Sequence, residues 1–281
     1  MMDLMIEPVV RAALAEDLGR AGDLTAQACI PAEARMTGVF AARKAGVAAG
    51  VDAVRIAVRL LDPDAIVETL ARDGQVFAAG AELVRVEANA RALLAAERSA
   101  LNILGRMCGI ATLTRAYVEA VAGTPARIAD TRKTTPGLRA VEKHAVACGG
   151  GMNHRFGLDD AILIKDNHVA LCGGVGEAVR RARAHAGHLV KIEVEVDSLE
   201  QLDEALTERP DVIMLDNFTL PALREAVRRA GVSASGRPLL EASGGVTLET
   251  VGDIARTGVD IISVGALTHS APALDVGLDA R

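Results

Sequence analysis

From Gly123 onward the chain settles into a beat of apolar strand candidates and helical patterns that few folds can accommodate. Strand candidates begin near Arg127, Ala161, Leu189, Asp211, Pro238 and Val259. Helical patterns fill 137–147, 175–186, 198–208, 219–230 and 247–256. Strands that alternate with helices pair in parallel, because a parallel neighbour is reached only through a crossover. Six such strands in one run predict a barrel or a doubly wound sheet.

The strand ends carry the chemistry. Ile128–Asp130 runs into Thr131, Arg132 and Lys133, and Ile162–Ile164 runs into Lys165. Val212–Leu215 ends at Asp216, Leu239–Leu240 leads to Glu241 and then Ser243-Gly244-Gly245, and Ile261–Val264 ends at Gly265-Ala266. Ligands of parallel α/β folds bind at that end of the sheet. Along Lys191–Asp197, period two sets Lys191, Glu193, Glu195 and Asp197 on one face and Ile192, Val194 and Val196 on the other. With the apolar face under helices, the charged face points inward, where charges need partners or a ligand. A closed or nearly closed barrel with a polar mouth is expected.

The first hundred residues are less regular. Residues 36–44 and 82–88 alternate as half-buried strands, and 51–61 reads as a helix ending before Asp62-Pro63. The Ala/Leu-rich stretch from Ala90 to Val121 is interrupted near Gly105 and Gly109, which predicts two helices or a broken one. An α+β domain is expected here.

Composition narrows the function. The formal net charge is −6, aromatics make up 2% and Trp is absent, so neither phosphate-backbone attraction nor base stacking is available for nucleic acid. Cys29, Cys108, Cys148 and Cys172 show no CxxC spacing and read as reduced thiols, not as a disulfide framework or zinc site. Acids at Asp3 and Glu7 and the lack of a sustained apolar run argue against a leader peptide or membrane span. A cytoplasmic protein is the expectation.

Against that acidic background, Arg132, Lys133, His154, Arg155 and Lys165 gather in two short stretches. Cations concentrated against the net charge suggest a pocket for a small, multiply charged anion. Arg132 and Lys133 can also be read as surface cations of a turn, and His154 as a structural hydrogen-bonding group. Lys165 ends an apolar strand, where a lysine is costly without a partner. Ser243-Gly244-Gly245 and Val264-Gly265-Ala266 resemble phosphate cradles, which bind through backbone N–H groups; tight turns alone would give the same residues. Glu195 and Asp216 suit Mg²⁺ or ribose hydroxyls more than general acid–base work, or pair with a lysine.

Longer motifs sharpen this. Thr131–Arg139, Glu142–His144, Gly149–Arg155, Ile164–His168, Glu193–Glu195, Leu215–Asn217, Ser243–Gly245 and Ser263–His269 stand in order, after Glu16–Gly19, Gly22–Thr25 and Glu97–Asn102. Together they resemble the quinolinate phosphoribosyltransferase family over nearly the whole chain. The resemblance implies an N-terminal α+β open-faced sandwich (1–110), an incomplete (β/α) barrel (111–267) and a tail (268–281) packing back on the first domain. It implies a homodimer or higher oligomer whose sites borrow Arg98 from the partner. It also implies transfer from phosphoribosyl pyrophosphate to quinolinate, yielding nicotinate mononucleotide, pyrophosphate and CO₂ for NAD biosynthesis.

By the same resemblance, Arg132, His154, Arg155 and Lys165 hold the quinolinate carboxylates. Lys133, Glu195 and Asp216, the catalytic candidates, address the phosphoribosyl pyrophosphate and Mg²⁺. Thr131 lines the site, and residues 243–245 and 264–266 cradle phosphates. The alternatives are a ModD-like paralogue of the same fold, a Schiff-base aldolase using Lys165, and a phosphate-metabolite sensor.

Overall fold

The computed structural model describes residues 3–231 and 236–281; Met1 and Met2, part of the N-terminal segment read above for targeting, lie outside them. In chain order the first elements are α1 (Asp3–Leu18), α2 (Leu24–Cys29), β1 (Arg35–Ala42), β2 (Gly46–Val47), α3 (Val51–Leu61), β3 (Ile66–Thr69), β4 (Val76–Phe77), β5 (Glu82–Asn89) and α4 (Ala90–Ala120). The strand–helix beat follows as β6 (Arg127–Ala129), α5 (Arg139–Cys148), β7 (Ile162–Ile164), α6 (Asp166–Cys172), α7 (Val175–His185), β8 (Ile192–Val196), α8 (Leu199–Glu208) and β9 (Val212–Asp216). It closes with α9 (Leu220–Ala230), β10 (Leu239–Ser243), α10 (Val251–Ala255), β11 (Ile261–Ser263), α11 (Ala266–His269) and β12 (Val276–Ala280).

The described chain divides into two compact units that are not contiguous in sequence. The first takes the chain up to Arg115, then Thr134–Gly150 and Leu267–Arg281; the second takes Ala116–Lys133 and Gly151–Ala266. Helix α5 belongs to the first unit.

In the first unit an antiparallel sheet runs β12-β1-β5-β3, with the chain's last strand paired to its first long one from Gly38↔Ala280 to Ala42↔Val276. The α4 stretch is one unbroken helix of 31 residues, not the interrupted one expected. Gly105 and Gly109 sit in it because backbone crosses there. A Cβ at Gly105 would lie 2.8 Å from the Leu274 carbonyl oxygen, and one at Gly109 would lie 2.0 Å from that of Pro272. The glycines admit a neighbouring segment; they do not end the helix.

In the second unit six parallel strands run β6-β11-β10-β9-β8-β7. The pairings leave β6 and β7 as the two edges of a parallel sheet, an incomplete barrel among the described residues. Fully buried Val194, Ile213, Leu215, Leu240 and Ile262 fill its apolar side. Capping fixes the helix starts: Ser198 accepts from the Gln201 N–H before α8, and Thr219 from the Ala222 N–H before α9. Helix α6 escaped the sequence reading because none of its residues is buried, so it carries no apolar stripe. The charged face of β8 is shorter than expected: Glu193 and Glu195 face inward, while Lys191 lies outside the strand and pairs with Asp211.

Candidate active site

Parallel register brings the strand ends of the second unit to one level. Ser243 pairs with Asp216, and Glu195 with Met214. Above them opens a cavity of about 560 Å³. Thr131, Arg132 and Lys133 line it from beyond β6, His154 and Arg155 from the following loop, and Lys165 from the end of β7. Glu195, Asp216, Ser243, Gly244 and Gly245 line the rest of its wall. Val264, Gly265 and Ala266 do not line this cavity, although the Val264 N–H holds the neighbouring strand by donating to the Ala129 carbonyl at 2.9 Å. Arg98 is exposed, belongs to the first unit and lines a separate cavity there of about 630 Å³.

The loop carrying His154 and Arg155 is tied down by Asp130, which is fully buried at the end of β6. One Asp130 oxygen accepts from the His154 N–H at 2.8 Å and the other from the Asn153 amide at 2.7 Å. The Arg155 N–H donates to His154 Nδ1 at 2.7 Å, which leaves Nε2 to face inward. Arg155 donates from one terminal nitrogen to the Ala161 carbonyl at 3.1 Å. Its Nε, and that of Arg132, are buried without a hydrogen-bond partner among the described residues. Burial holds the Arg155 guanidinium below its ordinary pKa, and the neighbouring Arg132 adds to this against opposing Glu193 and Asp160. Two mutually repelling guanidinium groups with unused donors make a site for an anion.

Below the cations lies a layer that the sequence reading did not put in the site. Glu193 and Glu241 are buried on β8 and β10, and His154 Nε2 is 3.0 Å from Glu193 and 3.8 Å from Glu241. Burial, reinforced by the Glu193 carboxylate, pushes the Glu241 carboxyl up to about 7, with His154 opposing. Glu241 can therefore hold a proton beside Glu193 and the imidazole. The available signal was a charge inside an apolar strand, Glu241 after Leu239 and Leu240.

Lys165 pairs with Glu195 at the cavity wall, and its backbone N–H donates to His168 Nδ1 at 2.9 Å. An amine attacking a carbonyl must be free of its proton and its partner, so the ion pair argues against the aldolase reading. Gly244 is required sterically: at φ +95° a Cβ would stand 2.2 Å from Asn217 Oδ1 and 3.0 Å from its backbone nitrogen. Asn217 itself is left-handed at φ 56° and donates its N–H to the Ser243 carbonyl at 2.9 Å. The strand-end loops of β9 and β10 are thereby locked together.

A parallel α/β unit with a cation-lined cavity at its strand ends belongs to a broad class of anion-binding α/β folds, and comparison with known proteins narrows it. The profile of the quinolinate phosphoribosyl transferase C-terminal domain matches residues 110–279, and that of the N-terminal domain matches residues 23–108. A nicotinate-nucleotide pyrophosphorylase [carboxylating] of Mycobacterium leprae is 51% identical over 275 residues, covering 96% of this chain and 95% of that protein. A probable enzyme of the same name from Bacillus subtilis is 42% identical over 279 residues, covering 99% and 94%. The solved nicotinate-nucleotide pyrophosphorylase of Francisella tularensis superposes with a TM-score of 0.94 at 37% identity, covering 100% of this chain and 98% of that one. The chain belongs to the quinolinate phosphoribosyl transferase family.

Proposed function

We propose that this chain transfers a phosphoribosyl group from phosphoribosyl pyrophosphate to quinolinate with loss of CO₂, giving nicotinate mononucleotide and pyrophosphate in NAD biosynthesis. The observation that carries the reading is the convergence of Arg132, His154, Arg155 and Lys165 on one cavity beside Lys133 and a Gly-rich strand end. Quinolinate is a dicarboxylate, and two guanidinium groups can each grip a carboxylate through paired donors.

Cleaving the ribose–pyrophosphate bond builds negative charge on the leaving group. Lys133 and the N–H groups around Ser243–Gly245, which line the cavity, take the role of stabilising it. The carboxylates of Glu195 and Asp216, on adjacent strands at the cavity wall, are hard oxygen ligands that fit Mg²⁺, which supplies charge neutralisation to a bound pyrophosphate. Once the ring nitrogen carries the ribose, the cationic ring withdraws electrons from its neighbouring carbon. The adjacent carboxylate then leaves as CO₂, and the ring carbon takes up a proton. Arg132 and Arg155 position that carboxylate, so no dedicated acid–base pair is needed.

Arg98 completes the proposal as a contribution from a second subunit of a homodimer. Its place outside the lining of the strand-end cavity and its exposure are consistent with that role. A cytoplasmic location also belongs to the proposal; no described helix is long and apolar enough to cross a membrane. The test is to incubate the protein with quinolinate, phosphoribosyl pyrophosphate and Mg²⁺ and assay nicotinate mononucleotide. Product formation is expected. Binding of both substrates without release of pyrophosphate would replace the enzyme reading with that of a sensor.

A further inference from the structure

Within the first unit, three candidate ligands meet at a place the proposed reaction does not use. Asp73 occupies the tight turn 72–75, closed by the Gln75 N–H donating to the Arg72 carbonyl at 2.9 Å, with Gly74 left-handed at φ +85°. Its Oδ1 accepts from the Val51 N–H at 3.3 Å at the start of α3. Its Oδ2 then faces His144 Nε2 at 2.6 Å. His144 and Cys148 stand four residues apart on α5 and so share a helix face. The Cys148 Sγ lies 3.3 Å from the same Nε2. The three atoms, one oxygen, one nitrogen and one sulfur, lie within 4.8 Å of one another. Their side chains are partly exposed, 25% for His144 and 19% for Asp73, so an ion in solution can reach them.

Without an ion, hydrogen bonds join the three groups through Asp73, whose carboxylate accepts from His144 Nε2 and from the Cys148 thiol. This is not a nucleophile relay, which would place the carboxylate on the other ring nitrogen. Burial, with the Asp73 charge adding to it, also pushes the Cys148 thiol up to about 12, the opposite of activation. A single cation at the centre accepts a lone pair from each of the three atoms at once.

We propose that Asp73, His144 and Cys148 form a binding site for a zinc-class transition-metal cation, with water in the fourth position. Tetrahedral zinc sets donor atoms about 3.3–3.7 Å apart. The His144–Cys148 separation already meets that, and the Asp73 carboxylate moves outward by several tenths of an ångström. The sulfur ligand discriminates against Mg²⁺ and Ca²⁺, which take oxygen donors. Cys108 is not in the set: it is fully buried, and its sulfur faces the Ala49 N–H at 3.4 Å. Cys148 ends α5, and Gly149–Gly151 follow directly toward His154 and Arg155. A bound ion therefore ties the end of α5 to the turn 72–75.

The test uses the full chain, stripped of metal by a chelator and titrated with Co²⁺. One equivalent is expected to raise a thiolate-to-cobalt charge-transfer absorption. The band should vanish in Cys148→Ser and persist in Cys29→Ser, whose sulfur is exposed elsewhere. Asp73→Asn, which keeps the shape, should weaken cobalt binding by about tenfold or more; it keeps the test decisive if Cys148→Ser folds poorly. Cobalt held by Glu195 and Asp216, or by His154, Glu193 and Glu241, has no sulfur ligand and gives no such band, so the readout is independent of catalysis. No sulfur-to-cobalt band in the unsubstituted chain, a band that persists in folded Cys148→Ser, or cobalt binding unchanged in Asp73→Asn, overturns the proposal.

Discussion

His154 and His144 each stand among two further ionisable groups, yet their surroundings differ. Around His154 the partners are Glu193 and Glu241, 8% and 2% exposed, set by the register of parallel strands under the cation layer. Around His144 they are a turn carboxylate and a helical thiol, reached by water. Burial makes the proton count the controlling variable in the first cluster, because a second buried charge is costly. Solvent access and a sulfur donor make the second suited to a metal. The same residue types are steered toward proton or metal chemistry by where the fold puts them.

The sharpest way to break this comparison is to disable one region and read the other. Lys133→Ala or Arg155→Ala should lower kcat/KM by about 10²-fold or more, while leaving cobalt binding at His144 unchanged; steady-state kinetics beside the cobalt titration checks both. Mixed Arg98→Ala and Arg155→Ala proteins, each inactive alone, should regain part of the activity on subunit exchange. Stable, exchanging variants that fail to complement would remove Arg98 from the site.

Stability separates the two regions next. Gly109→Ala places a methyl 2.0 Å from the Pro272 carbonyl oxygen in the first unit and should cost about 2–4 kcal/mol in urea unfolding. Gly244→Ala strains a left-handed residue against Asn217, should cost about 1–3 kcal/mol, and should also reduce turnover because it displaces the strand-end loop.

The smallest effect is a slope. Folded Glu241 keeps its proton up to about 7, against an ordinary value of 4.5, so the folded state binds more protons between those values. Its contribution to stability is fully present below 4.5 and is lost as pH rises through about 7. Glu241→Gln removes that term, and its melting temperature should fall less than that of the unsubstituted chain between about pH 5 and about pH 8. Equal slopes for the two proteins would show that the buried carboxyl does not titrate in this range.

The regions also differ in how far the sequence reveals them. The parallel sheet was legible because most of its strands are apolar runs ending in polar residues; His154 and Arg155, which follow no strand, were legible only from the cation cluster and the longer motifs. Glu241 was seen at a strand end, but its partnership with Glu193 and His154 depends on strand order, which alternation cannot supply. Gly105 and Gly109 misled because their reason lies far along the chain, at Leu274 and Pro272. The thiol site was hidden for the same reason. His144 and Cys148 show a helical spacing, but Asp73 lies 71 residues from His144, and a search for CxxC pairs passes over it.

The central claim is that the cation cavity couples phosphoribosyl transfer to decarboxylation. Quinolinate labelled at the carboxylate beside the ring nitrogen, mixed with phosphoribosyl pyrophosphate and Mg²⁺, measures this directly. The account predicts labelled CO₂ and pyrophosphate released in equal amounts, with unlabelled nicotinate mononucleotide as product. Pyrophosphate released without labelled CO₂, or no reaction at all from the folded protein, would contradict it.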